Sequence, residues 1–314
     1  MKYFLRLIRW KNLLILIYIL LTLRYCILES FFKLYDLQLR LTNLNFILLL
    51  SAVIFIAAAG YIINDYLDIT NDQINEKDPV IGYYIKSNIA IYFYIIFSLI
   101  GIILGTLVSF NIGYPKFSLI FFIAASLLWF YSSSFKKSFL LGNLIIAFLS
   151  ASIPLLILIY DLLPIIQYFK TEIIAKQINI KIPQYWLLGY AAFAFIYTFI
   201  REVIKDQEDI IGDKKMNYNT LAIVIGVPGI KILTSLLLLI STLALIWIFL
   251  KFLNITLSII YLIIFLVIPN LLTIFLIIKA QNKKHYHSIS IFLKIIMFLG
   301  ISYSLLVCYI FNTL

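Results

Sequence analysis

Residues 46–72 read FILLLSAVIFIAAAGYIINDYLDITND, and in this stretch an apolar run leads directly into the acids Asp65, Asp68 and Asp72. The acids are spaced D-x-x-D-x-x-x-D. Positions i, i+3 and i+7 lie on one face of an α-helix, so on a helix this spacing would present three carboxylates together. Carboxylates at the end of an apolar helix are costly unless a cation compensates them. The stretch is therefore a candidate cation-binding segment.

The same spacing returns in residues 206–213, DQEDIIGD, where the acids are Asp206, Asp209 and Asp213. Here too an apolar run precedes the motif and a polar loop follows it. Ten of the fourteen acidic residues lie in the two motifs or within six residues of them. The sequence therefore predicts a duplicated helical unit, in which the second and the sixth apolar helices are counterparts.

The composition predicts a polytopic membrane protein. The 314 residues are 64% hydrophobic and only 12% charged, with a mean hydropathy of +1.06, and about 20 consecutive apolar residues cross a bilayer. We predict an all-α fold with one membrane domain over residues 1–314 and nine spanning helices. The predicted spans are 11–28, 43–63, 88–110, 117–134, 139–160, 185–204, 229–250, 255–279 and 290–312.

The distribution of basic residues predicts the orientation. With nine spans, the N-terminus and the loops after helices 2, 4, 6 and 8 share one side, which carries sixteen of the twenty-five Lys and Arg residues, against eight on the other side. Lys and Arg concentrate on the cytoplasmic side of membrane proteins. We expect the N-terminus and both acidic motifs at the cytoplasmic face of the cytoplasmic (inner) membrane. The same pattern explains the net charge of +11 without a nucleic acid partner.

Two acidic clusters on one side favour a site for Mg²⁺ and a phosphorylated ligand. Mg²⁺ prefers oxygen ligands and is often bound by one or two carboxylates together with substrate phosphates. A metal ion also stabilises the charge that develops on a diphosphate leaving group. The candidate metal ligands are Asn64, Asp65, Asp68, Asp72, Asp206, Asp209 and Asp213, and the candidate catalytic residues are Asp68, Asp72, Asp209 and Asp213. The alternative for either segment alone is a solvated helix end.

A diphosphate also requires basic and polar side chains. The candidate substrate-binding residues are Arg9, Asn12, Asn64, Tyr131, Lys136, Lys137 and Arg201. Arg201 has an alternative role as the partner of Asp206 or Asp209. Arg9 and Asn12 have an alternative role as part of an interfacial anchor.

Other basic residues are interpreted without a role in the site. Lys214 and Lys215 follow from the general excess of basic residues on the cytoplasmic side. His285 and His287 are interpreted as loop residues, because the pattern H-Y-H is a weak metal signal.

These motifs resemble those of the UbiA-type intramembrane prenyltransferases, and the resemblance covers nearly the whole chain. It is carried by R-L-I-R-W-K-N from Arg6, N-D-Y-L-D-I-T-N-D from Asn64, Y-S-S-S-F-K-K from Tyr131 and R-E-V-I-K-D-Q-E-D-I-I-G-D-K-K from Arg201. The resemblance implies nine helices around a central cavity with a cytoplasmic polar cap. It also implies Mg²⁺-dependent ionisation of a polyprenyl diphosphate and transfer of its prenyl group to a lipophilic acceptor in the membrane lipid.

The resemblance also assigns residues and a branch of the family. Asn64, Asp68 and Asp72 match the first metal motif, and Asp209 and Asp213 match the second, with Asp206 beside it. The pattern R-E-x-x-K-D-x-E-D-x-x-G-D-K resembles the geranylgeranylglycerol-phosphate geranylgeranyltransferase branch, whose members alkylate a glycerol hydroxyl. An acceptor that carries its own phosphate needs a further basic subsite, for which the candidates are Arg9, Lys77 and Lys86.

Three alternatives remain open at this point. Two are aromatic prenyltransferases, of menaquinone-type quinone synthesis or of haem-O synthesis. The third belongs to a different class, the membrane transporters. Transporters place ionisable residues near the middle of the membrane, whereas both acidic motifs here follow the ends of apolar helices.

Overall fold

Nine long apolar helices build the protein. The computed structural model describes residues 1–75, 78–253 and 255–313, and within these ranges nine helices are long and apolar enough to cross a membrane. They are α2 (Trp10–Lys33), α3 (Asn43–Leu67), α5 (Ser87–Asn111), α6 (Pro115–Ser133), α7 (Leu141–Tyr168), α9 (Lys181–Glu208), α11 (Leu221–Phe252), α12 (Thr256–Lys279) and α13 (Lys283–Thr313). Four short helices complete the numbering: α1 (Lys2–Leu7), α4 (Ile69–Ile74), α8 (Lys170–Ala175) and α10 (Ile210–Lys215). The predicted all-α class with nine spans is confirmed.

Three helix boundaries differ clearly from the predicted ones. Helix α7 ends at Tyr168 rather than 160. Helix α11 begins at residue 221 rather than 229, because the chain is already helical before Gly226 interrupts it with φ 67° and ψ 177°. Glycine adopts a positive φ at little steric cost, so the predicted loop end is a break inside a helix. Helix α13 begins at Lys283 rather than 290, and the prediction that His285 and His287 lie in a loop is wrong.

The helices pack as two compact units. The first consists of Met1–Lys136 and Ile153–Leu188, and the second of Lys137–Ser152 and Gly189–Leu314. Helices α7 and α9 each contribute residues to both units. The first acidic motif lies in the first unit and the second acidic motif lies in the second.

Helix α3 is the centre of the first unit, where it packs against α2, α5 and α6. A small residue lets two membrane helices approach closely, and Gly101 of α5 does so here. A Cβ at Gly101 would lie 2.6 Å from Cγ1 of Ile56 and 3.1 Å from the carbonyl oxygen of Ala52, both on α3. This contact fixes the helix whose C-terminal end carries the first acidic motif.

A buried ion pair joins α2 to α7 in the first unit. Arg24 and Asp161 lie in the π-helical turns Leu23–Glu29 and Leu158–Leu162. The distance from Nε of Arg24 to Oδ2 of Asp161 is 3.7 Å, and the two side chains are 1% and 0% exposed. The guanidinium also donates to the carbonyl oxygen of Leu41 at 2.5 Å. Removal of one partner of such a pair leaves an uncompensated buried charge, so the two residues act as a unit.

Hydrogen bonds between helices stabilise the second unit. Nδ2 of Asn270 on α12 donates to the hydroxyl of Tyr197 on α9 at 2.5 Å and to Oγ1 of Thr242 on α11 at 3.0 Å. The hydroxyl of Tyr303 on α13 donates to Oγ of Ser258 on α12 at 2.8 Å. Interhelical hydrogen bonds in membranes contribute about 0.6–2 kcal/mol each. They hold α9, whose last turn leads into the second acidic motif.

The approach of α3 and α5 predicts a stability difference between two glycine substitutions. Gly101→Ala should lower the Tm of the purified protein, because the added methyl must displace Ile56 and overpacking costs about 1–3 kcal/mol. Gly189→Ala on α9 is the control. Within the described residues, a Cβ added at Gly189 would have no neighbouring side chain or other helix within 4 Å. Alanine favours helix over glycine, so the Tm of this variant should be unchanged or higher. Equal Tm values for the two variants would contradict a tight contact at Gly101.

Candidate functional site

The first acidic segment bends at its middle aspartate. Helix α3 ends directly before Asp68, and α4 begins directly after it. Asp68 has φ −95° and ψ 1°, where an α-helical residue has ψ near −42°. Backbone hydrogen bonds between residues four apart, as in an α-helix, continue across the bend. N of Asp68 donates to O of Asn64 (3.0 Å), and N of Asp72 donates to O of Asp68 (2.8 Å). The first motif is therefore helical on both sides of a bend at residue 68, and helix α3 extends four residues beyond the predicted span end at residue 63.

The carboxylate of Asp68 is held by two donors. Nδ2 of Asn64, one turn earlier on α3, donates to Oδ2 of Asp68 at 2.8 Å. Nζ of Lys136 forms an ion pair with the same oxygen. Asp68 is only 4% exposed, so its negative charge depends on these two partners for compensation. Asn64 thus orients the carboxylate through its amide nitrogen.

The ammonium group of Lys136 interacts with more than one group of the first motif. Burial opposes its positive charge, but the charges of Asp68 and Asp72 outweigh that effect and raise the pKa of Lys136 above its ordinary value. Tyr131 is buried and acts on Lys136 in the same direction. The structure therefore brings Tyr131 and Lys136 together with the aspartates of the first motif.

The N-terminal segment supplies the partner of Asp65. Nη2 of Arg9 lies 2.6 Å from Oδ1 of Asp65, and its guanidinium lies 4.9 Å from the centroid of the Tyr61 ring. Nδ2 of Asn12 donates to the hydroxyl of Tyr61 at 3.3 Å. Arg9 has the left-handed conformation φ 49°, ψ 52° between α1 and α2, which is uncommon for a residue other than glycine. This turn directs both Arg9 and Asn12 to the end of α3.

The segment after the first motif is fixed by the same N-terminal helix. Nη1 of Arg6 lies 3.0 Å from Oδ2 of Asp78, and Nη2 donates to the carbonyl oxygen of Asp78 at 2.7 Å. Leu7 packs with Val80 in a buried cluster. Two candidates for an acceptor subsite lie nearby in sequence: Lys77 is outside the described residues, and Lys86 is exposed directly before α5.

The second acidic segment repeats the bend of the first. Helix α9 ends directly before Asp209, which has φ −96° and ψ 7°, and α10 follows it. The backbone hydrogen bonds run from N of Asp209 to O of Lys205 (2.9 Å) and from N of Asp213 to O of Asp209 (3.1 Å). The two motifs therefore share both their spacing and their backbone conformation, as expected for counterparts in a duplicated unit.

The acids of the second segment have different partners from those of the first. Nδ2 of Asn143 donates to Oδ2 of Asp206 at 2.7 Å. Nη1 of Arg201 lies 2.7 Å from Oε1 of Glu202, and Nζ of Lys205 lies 3.4 Å from Oε2 of Glu202. Arg201 thus has its adjacent residue as a partner. Asp213 is buried on α10.

Lys137 belongs to the second unit, although Lys136 belongs to the first. Its carbonyl oxygen accepts a hydrogen bond from N of Asn219 at 2.9 Å, and Nζ lies 5.5 Å from the centroid of the Tyr218 ring. Lys137 therefore packs on the loop that follows the second motif. Lys214 and Lys215 are exposed on α10. Their exposure is compatible with the interpretation that they have no role in the site.

Sequence reasoning missed three partners of the second segment. Glu202 and Asn143 contact candidate residues, and Nδ1 of His287 lies 3.0 Å from Oε1 of Glu208. A sequence signal for Glu202 was present. It is an acid four residues before Asp206, and positions i and i+4 lie on the same face of a helix. A signal for Asn143 was also present, because it belongs to the polar segment after α6, whose G-N pair resembles the family motif. His287 carries no comparable signal.

The chemistry of the first cluster fits Mg²⁺. Within the described ranges, no group of three or more His, Cys, Asp and Glu side chains is arranged to hold a metal ion. Mg²⁺ does not need such a group, because it usually retains waters and binds one or two carboxylates together with substrate phosphates. Asp68 and Asp72 supply carboxylate oxygens, and the amide of Asn64 supplies another oxygen.

Comparison with known proteins identifies the family of this chain. The sequence profile of the UbiA prenyltransferase family matches residues 35–301. A digeranylgeranylglyceryl phosphate synthase of Methanosphaera stadtmanae is 32% identical over 258 residues, which cover 81% of this chain and 85% of the relative. A digeranylgeranylglyceryl phosphate synthase of Sulfolobus acidocaldarius is 34% identical over 195 residues, or 62% of each chain.

Two solved structures share the fold. One comes from work on digeranylgeranylglyceryl phosphate synthase in membranes; it has a TM-score of 0.59 and 25% identity, and the match covers 98% of both chains. The other is the apo structure of a UbiA homologue from Aeropyrum pernix K1, with a TM-score of 0.59 and 12% identity over 94% of this chain and 98% of that chain. The chain therefore belongs to the UbiA prenyltransferase family and is an integral membrane enzyme that transfers prenyl groups.

Proposed function

We propose that the protein transfers a geranylgeranyl group from geranylgeranyl diphosphate to a hydroxyl of geranylgeranylglyceryl phosphate in a Mg²⁺-dependent reaction. The observation that carries the proposal is the pair of acidic segments with one spacing and one backbone bend. The acceptor is supported by the relatives named digeranylgeranylglyceryl phosphate synthase, which are 32% and 34% identical to this chain.

In this proposal the acidic residues act on the diphosphate through bound metal. Asp68, Asp72, Asp209 and Asp213 hold the metal, with Asn64, Asp65 and Asp206 beside them. Mg²⁺ would supply stabilisation of the charge that develops on the diphosphate as the allylic carbon–oxygen bond breaks. The chain's own part is to hold these carboxylates in fixed positions, which is supported by the bonds from Asn64 to Asp68 and from Asn143 to Asp206.

Basic residues complete the proposed diphosphate site. Lys136, Lys137 and Arg201 provide positive charge for the phosphate oxygens, and Tyr131 provides a hydroxyl beside Lys136. Arg9 and Asn12 act at the other side of the first motif, where Arg9 pairs with Asp65. Charge-assisted hydrogen bonds of this kind are about twice as strong as neutral ones.

We propose that the N-terminus and both acidic segments face the cytoplasm, and that residues 1–314 act as one membrane domain. The orientation is supported by the two-to-one excess of Lys and Arg on the side of the N-terminus, because basic residues are retained in the cytoplasm. The water-soluble head of a diphosphate would then meet the site at the membrane surface. Its prenyl chain would remain among apolar side chains.

The proposed reaction predicts the product of an acceptor competition. Purified protein with Mg²⁺, labelled geranylgeranyl diphosphate and equal concentrations of geranylgeranylglyceryl phosphate and a dihydroxynaphthoate should form an ether lipid, identified by mass spectrometry. EDTA should abolish the product. A prenylated aromatic without ether lipid would favour the menaquinone-type alternative, and transfer to neither acceptor would contradict the proposed function.

The proposed metal ligands predict large losses of activity without loss of fold. Asp68→Asn and Asp209→Asn keep the shape of the side chain but remove the charge, so each should lower the rate at least about 100-fold, because metal stabilisation of the leaving group contributes several kcal/mol. Asp36→Asn, an exposed acid in the loop between α2 and α3, is the control and should keep the normal rate. Near-normal rates for both active-site variants would exclude these ligands.

The proposed phosphate contacts predict that substitutions of different basic residues have different effects on the reaction rate. Lys136→Gln and Arg201→Gln should each slow ionisation of the diphosphate donor about ten- to hundred-fold, since a hydrogen bond to a charged group contributes about 1.5–3 kcal/mol. The KM for the acceptor should change little. Lys214→Gln is the matched control on the exposed surface of α10 and should have a mild effect. If all three variants lose activity equally, the assignment of Lys136 and Arg201 to the leaving group is wrong.

A further inference from the structure

The first acidic cluster, defined here as Asn64, Asp65, Asp68 and Asp72, already contains its own positive charges. Asp65 pairs with Arg9, whose Nη2 lies 2.6 Å from Oδ1. Asp68 pairs with Lys136 through Oδ2, the oxygen that also accepts from Asn64 at 2.8 Å. Two different segments of the chain thus deliver one cation to each of two neighbouring acids.

The Lys136 pair lies in the more buried of the two environments. The Asp68 and Lys136 side chains are 6% and 22% exposed, against 18% and 36% for Asp65 and Arg9. A carboxylate in such a place is destabilising without a cation. The charge of Asp72 also acts on Lys136, so one ammonium group serves two carboxylates. This is the arrangement that a divalent cation bound by two aspartates would have.

We propose that Lys136 is a resident cation, which occupies the place of a divalent ion beside Asp68 in the ligand-free protein and leaves Asp68 when Mg²⁺ binds there. The proposal rests on the proposed use of Asp68 as a metal ligand. The released ammonium group then pairs with the phosphate oxygens of the arriving diphosphate. Lys136 therefore competes with the metal and cooperates with the diphosphate.

Competition and cooperation have opposite thermodynamic signs and can be measured separately. Mg²⁺ alone must displace Lys136 from Asp68 and leave the partly buried ammonium group without this counter-ion, so Mg²⁺ alone binds weakly. Mg²⁺ together with a diphosphate offers the ammonium group a new partner, so each ligand increases the affinity of the other. When Lys136 loses its charge, the competition disappears and the cooperation becomes weaker.

The test is thermal unfolding of the purified protein and of Lys136→Met in EDTA, in Mg²⁺, and in Mg²⁺ with inorganic pyrophosphate. Without metal, Lys136→Met should lower the Tm by about 3–8 °C, because Asp68 is left unpaired. Mg²⁺ alone should restore most of this loss. The Mg²⁺ concentration that gives half of the Tm increase should be about three- to tenfold lower in Lys136→Met. Pyrophosphate should reduce this concentration by a larger factor in the unsubstituted protein than in Lys136→Met.

Lys214→Met is the matched control, because Lys214 is an exposed lysine on α10 and has no role in the proposed diphosphate site. Its half-saturating Mg²⁺ concentration should equal that of the unsubstituted protein. If Lys136→Met does not fold alone, the double variant Lys136→Met, Asp68→Asn removes both charges and should fold. Its response to Mg²⁺ should match that of Asp68→Asn alone.

Specific outcomes would overturn the inference. Equal destabilisation of Lys136→Met with and without Mg²⁺ would show a static ion pair. A higher half-saturating Mg²⁺ concentration in Lys136→Met would show that Lys136 supports metal binding instead of competing with it. If the double variant and Asp68→Asn responded differently to Mg²⁺, Lys136 would act on metal binding without Asp68, and the inference would be wrong. None of these readouts needs prenyl transfer, so a failure of the proposed function is seen in the product assay and a failure of this inference in the Tm values.

Discussion

A carboxylate at the end of an apolar helix has to be compensated by positive charge or hydrogen-bond donors, because low-polarity surroundings do not stabilise it. In the first unit the compensation comes from far away in the sequence. Arg9 is 56 residues from Asp65, and Lys136 is 68 residues from Asp68. These two ion pairs therefore do more than balance charge. They attach the N-terminal segment and the end of α6 to the C-terminal end of α3.

The second unit meets the same requirement with different chemistry. Asp206 is held by the neutral amide of Asn143, and Glu202 lies beside two cations, Arg201 and Lys205. The backbones of the two motifs match closely at their middle residues, with φ near −95° and ψ near 0°. Conformations in this bridge region are frequent at active-site residues. The two motifs therefore share their backbone conformation, whereas the side chains around them differ.

The fold could be predicted largely from the sequence, because apolar runs of membrane length and the D-x-x-D-x-x-x-D motifs are local signals. All nine predicted spans are helices. The bends at Asp68 and Asp209 could not be predicted, since the spacing of the motif is compatible with a straight helix. The same holds for Gly226, where glycine and proline indicate a break but not whether it ends a loop or interrupts a helix. Contacts such as Asn143 with Asp206 depend on tertiary packing, which no local pattern encodes.

The buried pair of Arg24 and Asp161 has a consequence for how the protein is made. Arg24 lies in the first spanning helix and Asp161 in the fifth, about 140 residues later in the chain. Ribosomes add about 5–20 residues per second, so on the order of ten seconds separate the synthesis of the two residues. During that interval α2 carries an arginine whose partner does not yet exist. The contact between α2 and α7 through this pair therefore forms only after α7 has been made.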